Sequence, residues 1–199
     1  MPSAPDPSPE LEAVLDAAAA CYLQFGVEKT TAADIAKRAG MSRATLYRRY
    51  GGHEAIFLAL LTRESDAMAR DAEAHLAGID DPAERVVEGM LYAIEQIRAR
   101  PVHAAVFSSD AAGWAATLAL SDDALRRLGE AGIRPLLGPS RPDAAGAQAV
   151  DDLVDHLLRV LISYAVVPGR NGLDTEDIRR QLNAMFLPAF ERMLAVLDR

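Results

Sequence analysis

The sequence is poor in cysteine, in aromatic residues and in long apolar runs. Cys21 is the only cysteine, which excludes an intrachain disulfide, and we expect it to be a small buried group on the first helix. Aromatic residues make up only 6% of the chain, and runs of β-branched residues are scarce, which disfavours a β-rich fold. No apolar stretch approaches the roughly 20 residues that a membrane-spanning helix needs, so we expect no membrane partner.

The N-terminus has neither the basic start nor the apolar stretch of a signal peptide. Residues 1–9 contain four prolines and no periodic apolar pattern, so we predict a disordered tail there. Without a leader or a spanning segment, the expected location is the cytoplasm.

Half of the residues are apolar, and the strong helix formers alanine, leucine, arginine and glutamate are common. We therefore predict an all-α protein. The first helix is marked by apolar residues at steps of three and four, and Gly26 follows where a C-terminal cap belongs. The residues expected on its inward face are Leu11, Leu15, Ala18, Tyr22 and Phe25.

Two short helices follow, at about residues 31–50. Thr31-Ala32-Ala33-Asp34 predicts a capping box that opens the second helix, which Gly40 ends. Ser42 is a good N-cap for a third helix, which Gly51-Gly52 breaks. Two short helices joined by a tight glycine-containing turn form a helix-turn-helix. We assign residues 10–54 to an N-terminal three-helix domain of this kind, and residues 55–199 to a larger helical domain.

The larger domain is predicted from start signals and periodicity. A helix beginning near His53 runs toward residue 76, and Asp81-Pro82-Ala83-Glu84 starts another that reaches Arg100. Further helices are expected at 102–110, 113–130, 146–167 and 174–198, with a loop at 132–146. Pro188 should kink the last helix or remove one of its hydrogen bonds.

The charge distribution points to a polyanion site. The net charge of −8 argues against nucleic acid at first, yet residues 26–53 hold six basic residues against two acidic ones. A basic cluster of +4 in an otherwise acidic chain is typical of a local nucleic-acid contact.

The third helix has the size and chemistry to enter a DNA major groove, which is about 12 Å wide. Arg43 suits a guanine edge, while Ala44 and the Thr45 methyl suit a thymine methyl. The hydroxyls of Thr45 and Tyr47 and the basic groups of Arg48 and Lys37 can bind phosphates, and the helix start at His53 offers backbone N–H groups. Leu46 and Tyr50 are expected in the core, and Arg49 is left undecided. The predicted DNA-binding residues are Thr31, Lys37, Ser42, Arg43, Ala44, Thr45, Tyr47, Arg48 and His53.

Over residues 10–60 the sequence resembles the TetR family of bacterial transcription regulators. The resemblance rests on Phe25-Gly26-Val27, Thr30-Thr31, Asp34-Ile35-Ala36, Ala39-Gly40-Met41-Ser42, Thr45-Leu46-Tyr47 and Tyr50-Gly51-Gly52-His53-Glu54-Ala55. His53 stands where the family usually has lysine, which implies a phosphate contact that is weaker or depends on pH. Ala32-Ala33 replaces larger or polar residues, which implies fewer contacts from the second helix.

The resemblance implies a homodimer that presents two such helices to a near-palindromic, double-stranded DNA operator. The last two helices would form the dimer interface, although core packing alone also explains their broad apolar face. The expected interface residues are Leu153, Leu157, Val160, Leu161, Leu182, Phe186, Phe190 and Met193.

The resemblance also implies a pocket for an unknown small-molecule effector among the middle helices. An apolar or amphipathic ligand suits such a pocket, although plain core packing explains each residue as well. The expected lining residues are Met90, Ile94, Ile97, His103, Phe107, Trp114, Leu118 and Tyr164.

The expected function is therefore that of a dimeric, sequence-specific DNA-binding transcription regulator, a repressor released by its ligand. The alternative is a helical ligand-binding or interaction dimer that has lost DNA binding. An enzyme is not expected, because the four histidines lack metal-binding spacing and no phosphate loop or nucleophile motif occurs. No metal or cofactor is expected.

Overall fold

The structure is a computed structural model that describes residues 8–107, 144–167 and 173–197. In the stretches 144–150 and 193–197 it describes the backbone alone, apart from the side chain of Gln148. All regular secondary structure in these ranges is helical, as predicted. No helix within them combines the length and the apolar character needed to cross a membrane.

Four helices make up the N-terminal part. They are α1 (Pro9–Phe25), α2 (Ala32–Arg38), α3 (Arg43–Tyr50) and α4 (His53–His75). The predicted tail was two residues too long, because Ser8 already caps α1 and Pro9 occupies its first turn, where no N–H is required. Residues 1–7 of that predicted tail lie outside the described ranges.

The rest of the fold consists of α5 (Pro82–Ala99), α6 (Pro101–Val106), α7 (Ala144–Val166), α8 (Thr175–Gln181), a π-helical turn (Leu182–Phe186) and α9 (Leu187–Leu197). Helix α6 ends four residues earlier than predicted, and α7 begins two residues earlier. The helix expected at 113–130 and residues 132–143 of the expected loop lie outside the described ranges, whereas residues 144–146 of that loop belong to α7.

The first hydrophobic core is built from α1, α2, α3, α4 and α6. Its centre contains fully buried side chains from the N-terminal helices, and Val102 and Val106 of α6 complete it. Cys21 is buried here, as predicted. Phe25 is exposed, contrary to the prediction, because α1 ends at that residue and Val27 takes the buried position beyond the turn. Helix α6 therefore attaches the N-terminal unit to the larger one.

The second core lies between α5, α7 and the segment from α8 to α9. It buries five of the eight side chains expected at the dimer interface. A side chain buried within its own chain has little surface left for a second copy, so this burial argues against an interface role for these five, and the interface itself stays a prediction. They are Leu153, Leu157, Leu182, Phe186 and Phe190. Val160 and Leu161 are partly buried against the same core, and the Met193 side chain is outside the described set.

The disturbance expected at Pro188 takes the form of a π turn. Proline has no N–H, and its ring crowds the carbonyl of Ala184 four residues earlier. In the structure the preceding turn is widened, and the N–H of Leu187 donates to the carbonyl of Leu182, five residues back. The chain thereby accommodates the proline without ending the helix.

Candidate nucleic-acid interface

Helices α2 and α3 are joined by a tight turn at residues 39–42. Gly40 has φ +70°, a left-handed conformation that glycine adopts without strain. The N–H of Met41 donates to the carbonyl of Ala36 at 2.9 Å, and Ser42 then caps α3 by accepting from the N–H of Thr45 at 3.1 Å. The predicted helix-turn-helix is therefore present at the predicted position.

The capping box predicted for α2 is also confirmed. The Thr31 N–H donates to Asp34 Oδ2 at 2.9 Å, and the Thr31 hydroxyl accepts from the N–H of Asp34 at 3.3 Å. The Thr31 hydroxyl also bonds Oδ2 at 2.6 Å, and this bond lowers the pKa of the Asp34 carboxyl. Thr31 remains exposed, and its predicted DNA contact stays a prediction.

Leu46 sets the orientation of α3. It is 0% exposed and packs in the same core as Ile35 of α2. Because one face of α3 is fixed inward, the opposite face is turned to solvent. That face carries four exposed side chains and the half-buried Thr45; the exposed ones are Arg43, Ala44, Tyr47 and Arg48.

The basic side chains of the unit fall into two groups. Arg38 donates to the Gln24 side chain at 2.9 Å, and Arg49, left undecided by the sequence, pairs with Glu10 of α1. In contrast, Lys29, Lys37, Arg43 and Arg48 have neither an ion pair nor a side-chain hydrogen bond with any residue that the structure describes. Three of these four available cations are on α2 and α3, and Lys29 lies in the turn before α2.

Arg43, Tyr47 and Gly52 form a stack at the end of that face. The guanidinium carbon of Arg43 lies 5.3 Å from the centre of the Tyr47 ring. The same ring also lies close to Gly52, where an added Cβ would come within 2.6 Å of Tyr47 Cε1. Tyr47 is 46% exposed, so the ring remains open to solvent on part of its surface. Sequence reasoning named Arg43 and Tyr47 but missed the role of Gly52.

His53 at the start of α4 is half-buried against α1. Its Nε2 lies 3.3 Å from the Tyr22 hydroxyl, and the two rings meet edge to face with centres 5.6 Å apart. Burial lowers the pKa of His53, while Glu54 raises it by less. Burial also raises the pKa of Tyr22, so its hydroxyl remains protonated and can donate to Nε2. The pH-dependent phosphate contact stays a prediction.

Arg63 joins α4 to α1 through ion pairs, and sequence reasoning missed this role. Its guanidinium donates to Glu12 at 2.9 Å and to Asp16 at 2.8 Å, both on α1, and to Glu64 at 3.0 Å. These α1 partners are 47 and 51 residues away in sequence, so a local pattern carries no signal for them. These ion pairs hold α4 against α1.

The residues expected to line a ligand pocket are divided between the two cores. Met90 and Ile94 pack in the second core, whereas Phe107 packs against the first. Ile97 is buried on the same helix as Met90. Tyr164 donates its hydroxyl to Gln181 at 2.8 Å. Trp114 and Leu118 lie outside the described ranges.

His103 of α6 is buried and has no hydrogen-bond partner among the residues that the structure describes. It is 1% exposed, and within those ranges neither Nδ1 nor Nε2 is paired. Burial lowers its pKa, an effect that Glu64 opposes and Arg100 reinforces. A neutral imidazole offers one donor and one acceptor, so His103 can serve a polar group brought into this region.

A groove of about 330 Å³ lies between α5 and α8. Its floor is apolar, and charged side chains stand at its rim; the lining residues include Leu91, Ile94, Glu95, Arg98, Thr175 and Ile178. Of the expected pocket residues within the described ranges, Ile94 alone lines this groove.

Comparison with known proteins identifies the family to which this chain belongs. The family model for bacterial regulatory proteins of the tetR family matches residues 14–60, which contain α2, α3 and the joint to α4. An HTH-type transcriptional regulator from Mycobacterium tuberculosis is 30% identical over 161 residues, covering 81% of this chain and 77% of that relative.

Solved structures share the fold. The TetR family repressor AlkX from a Dietzia strain has a TM-score of 0.63 at 21% identity, covering 94% of this chain and 97% of that one. RolR, solved with resorcinol, has a TM-score of 0.61 at 16% identity, covering 94% of this chain and 87% of that one. The relatives are transcriptional regulators rather than enzymes. With its helix-turn-helix and these relatives, the chain belongs to the TetR family of DNA-binding transcriptional regulators.

Proposed function

We propose that this regulator is a cytoplasmic homodimeric repressor that binds a near-palindromic operator and is released by a small apolar or amphipathic ligand. The observation that carries the DNA-reading part is the exposed face of α3. Arg43 and Arg48 are exposed there with no acidic partner among the described residues. Arg43 is assigned to a base edge, and Arg48 and Lys37 to phosphates.

Support for a dimer comes from the surface left outside the second core. Met185, in the π turn, is 80% exposed, more than any other large apolar side chain in the described part of the chain. Val160, Leu161 and Tyr164 of α7 are only partly covered. Exposed apolar surface of this kind is typical of a protein contact. We assign the interface to this surface, which replaces the buried residues first expected there.

Support for a ligand comes from His103. Leaving a buried donor or acceptor unpaired costs about 1–3 kcal/mol, so an orphaned imidazole favours the entry of a polar partner. Helix α6, which carries His103, packs against α1 of the DNA-binding unit. A ligand that bonds His103 would therefore act on a helix in direct contact with that unit. RolR, of similar fold, was solved with resorcinol, a small aromatic diol.

The operator is tested by selecting bound duplexes from a random pool. We expect two inverted half-sites, and Arg43→Ala should lose about 1–3 kcal/mol at the selected site and relax one base position. Arg38→Ala is the matched control, because its guanidinium is held by Gln24 away from that face. Absence of salt-sensitive binding to any duplex would instead favour an interaction module that has lost DNA binding.

The dimer is tested by sedimentation of the whole chain. We expect a dimer that Met185→Asp shifts toward monomer, because a carboxylate would be buried at the contact. Leu23→Asp, at an exposed apolar residue of α1, should leave the dimer intact. A monomeric wild-type protein at micromolar concentration would contradict the proposal.

The ligand is tested with His103→Leu, which removes both unpartnered nitrogens. We expect the free protein to keep or gain stability, because no unpaired polar group remains in the core. The same change should abolish ligand-dependent release from DNA in a screen that begins with phenols and medium-chain fatty acids. Release that is identical in the two proteins would exclude His103 as the anchor.

A further inference from the structure

We propose that Tyr47 is a positioning residue that holds the Arg43 guanidinium ready for base reading, and that Gly52 provides the place where the Tyr47 ring rests. This inference rests on the proposed base-reading role of Arg43. It adds a second role for Tyr47, which the sequence assigned to a phosphate, and a role for a glycine outside the recognition helix.

The contact between the two side chains follows from helical spacing. Residues four apart lie on one face of a helix, one above the other. The guanidinium carbon of Arg43 is 5.3 Å from the Tyr47 ring centre, within the roughly 6 Å range of a cation–π contact. Because Arg43 has no carboxylate partner in the described part of the chain, the ring is the group that orients it.

The position of the ring depends on Gly52. Gly51 ends α3 with φ +77°, donating its N–H to the Tyr47 carbonyl at 3.1 Å, and Gly52 follows with φ +97°. A Cβ on Gly52 would come within 2.6 Å of Tyr47 Cε1, so any other residue there would force the ring to move. The missing side chain therefore leaves the space that the ring occupies while it contacts the guanidinium.

Fixing the guanidinium before binding lowers the entropy that arginine loses when it pairs with a base. The stack needs only the aromatic face, whereas a phosphate contact needs the Tyr47 hydroxyl. Phenylalanine at position 47 therefore keeps the positioning role and removes the phosphate role. Leucine removes both, so these two variants separate the roles.

The experiment uses the duplex selected from a random pool by the wild-type protein, and single-base-pair variants of it. Tyr47→Phe should weaken binding equally on all duplexes and leave base discrimination unchanged. Tyr47→Leu should reduce discrimination roughly three- to tenfold at the base pair that Arg43→Ala relaxes, and nowhere else. In the Arg43→Ala background, Tyr47→Leu should change nothing at that base pair. Gly52→Ala should also reduce discrimination at that base pair, because its Cβ displaces the ring, and its unfolding free energy is measured separately because alanine is strained at φ +97°.

Folding is controlled by circular dichroism and by proton NMR of the free protein. The Arg43 side-chain protons should show an upfield ring-current shift in the wild type and in Tyr47→Phe, and lose it in Tyr47→Leu. If Tyr47→Phe relaxes discrimination as much as Tyr47→Leu, or if Tyr47→Leu keeps full discrimination, the positioning role is refuted. If Arg43→Ala itself changes no base preference, the base-reading role of Arg43 fails first, and the proposal fails with it.

Discussion

The Tyr22 hydroxyl lies 3.3 Å from Nε2 of His53 and joins the last turn of α1 to the first residue of α4. The edge-to-face packing of the two rings adds to this contact. Both groups are held in their neutral forms by burial, which lowers the pKa of the imidazole and raises that of the phenol. The N-terminus of α4 is thus attached to the first core through a neutral pair.

Stability should fall as the pH is lowered through the histidine range. Burial lowers the pKa of both His53 and His103 below the usual 6.5. As the pH falls below about 6.5, these histidines become protonated more readily in the unfolded chain than in the folded one. The stability present above that pH is therefore lost as the pH falls. Urea unfolding at pH 7.5 and 5.5 measures the loss. The double variant His53→Gln, His103→Leu should show a smaller loss, and an unchanged loss would refute this origin.

Removing the Tyr22 hydroxyl should cost about 0.5–1.5 kcal/mol of unfolding free energy, because one partly buried hydrogen bond is lost. The test is Tyr22→Phe in denaturant unfolding, together with an NMR titration of His53. Tyr164→Phe is the control, since it loses a bond to Gln181 in the second core. It should leave the titration of His53 unchanged, whereas Tyr22→Phe should move it.

The packing of α3 should depend strongly on Leu46. Truncation of this fully buried side chain by Leu46→Ala should cost about 2–5 kcal/mol, while Ile35→Val on the facing helix should cost about 0.5–1.5 kcal/mol. Denaturant unfolding gives both values. Equal and small effects would mean that the two helices repack freely, against the burial seen here.

The joint between α1 and α4 should weaken when Arg63 loses its charge. Arg63→Met keeps the apolar stem but leaves three carboxylates without their cation, so we expect a loss of about 1–2 kcal/mol after allowance for solvent screening. Arg159→Met, which breaks an exposed pair with Asp155 on α7, should have almost no effect. Similar losses in both variants would show that the joint is only a surface pair.

Features set by neighbours in sequence were predictable, and features set by distant contacts were not. Thr31, Ser42 and Asp81 cap their helices as predicted, because a cap involves residues only three apart. The pairing of Arg49 with Glu10 joins residues 39 apart, so no local pattern could resolve it. The same holds for Arg63.

The apolar face of the last helices shows a second limit. The periodicity placed the apolar residues on one face of these helices. In the sequence, however, such a face looks the same whether it packs against its own chain or against a second copy. In the structure Leu182, Phe186 and Phe190 are buried in the same core as α5, so these three side chains pack against their own chain. The position of Gly52 under Tyr47 was unpredictable for a related reason, because a glycine shows its role only through the atom that approaches it.

The π turn before Pro188 acts as a one-residue insertion in an otherwise continuous helix. Each residue of an α-helix turns the chain by about 100°, so the stretch after the turn is rotated relative to a straight continuation of α8. Shortening the turn by one residue would swing the whole of α9 around its axis. A seven-residue repeat counted across positions 182–186 therefore loses its phase, and any alignment of this chain with a straight-helix relative should place its gap there.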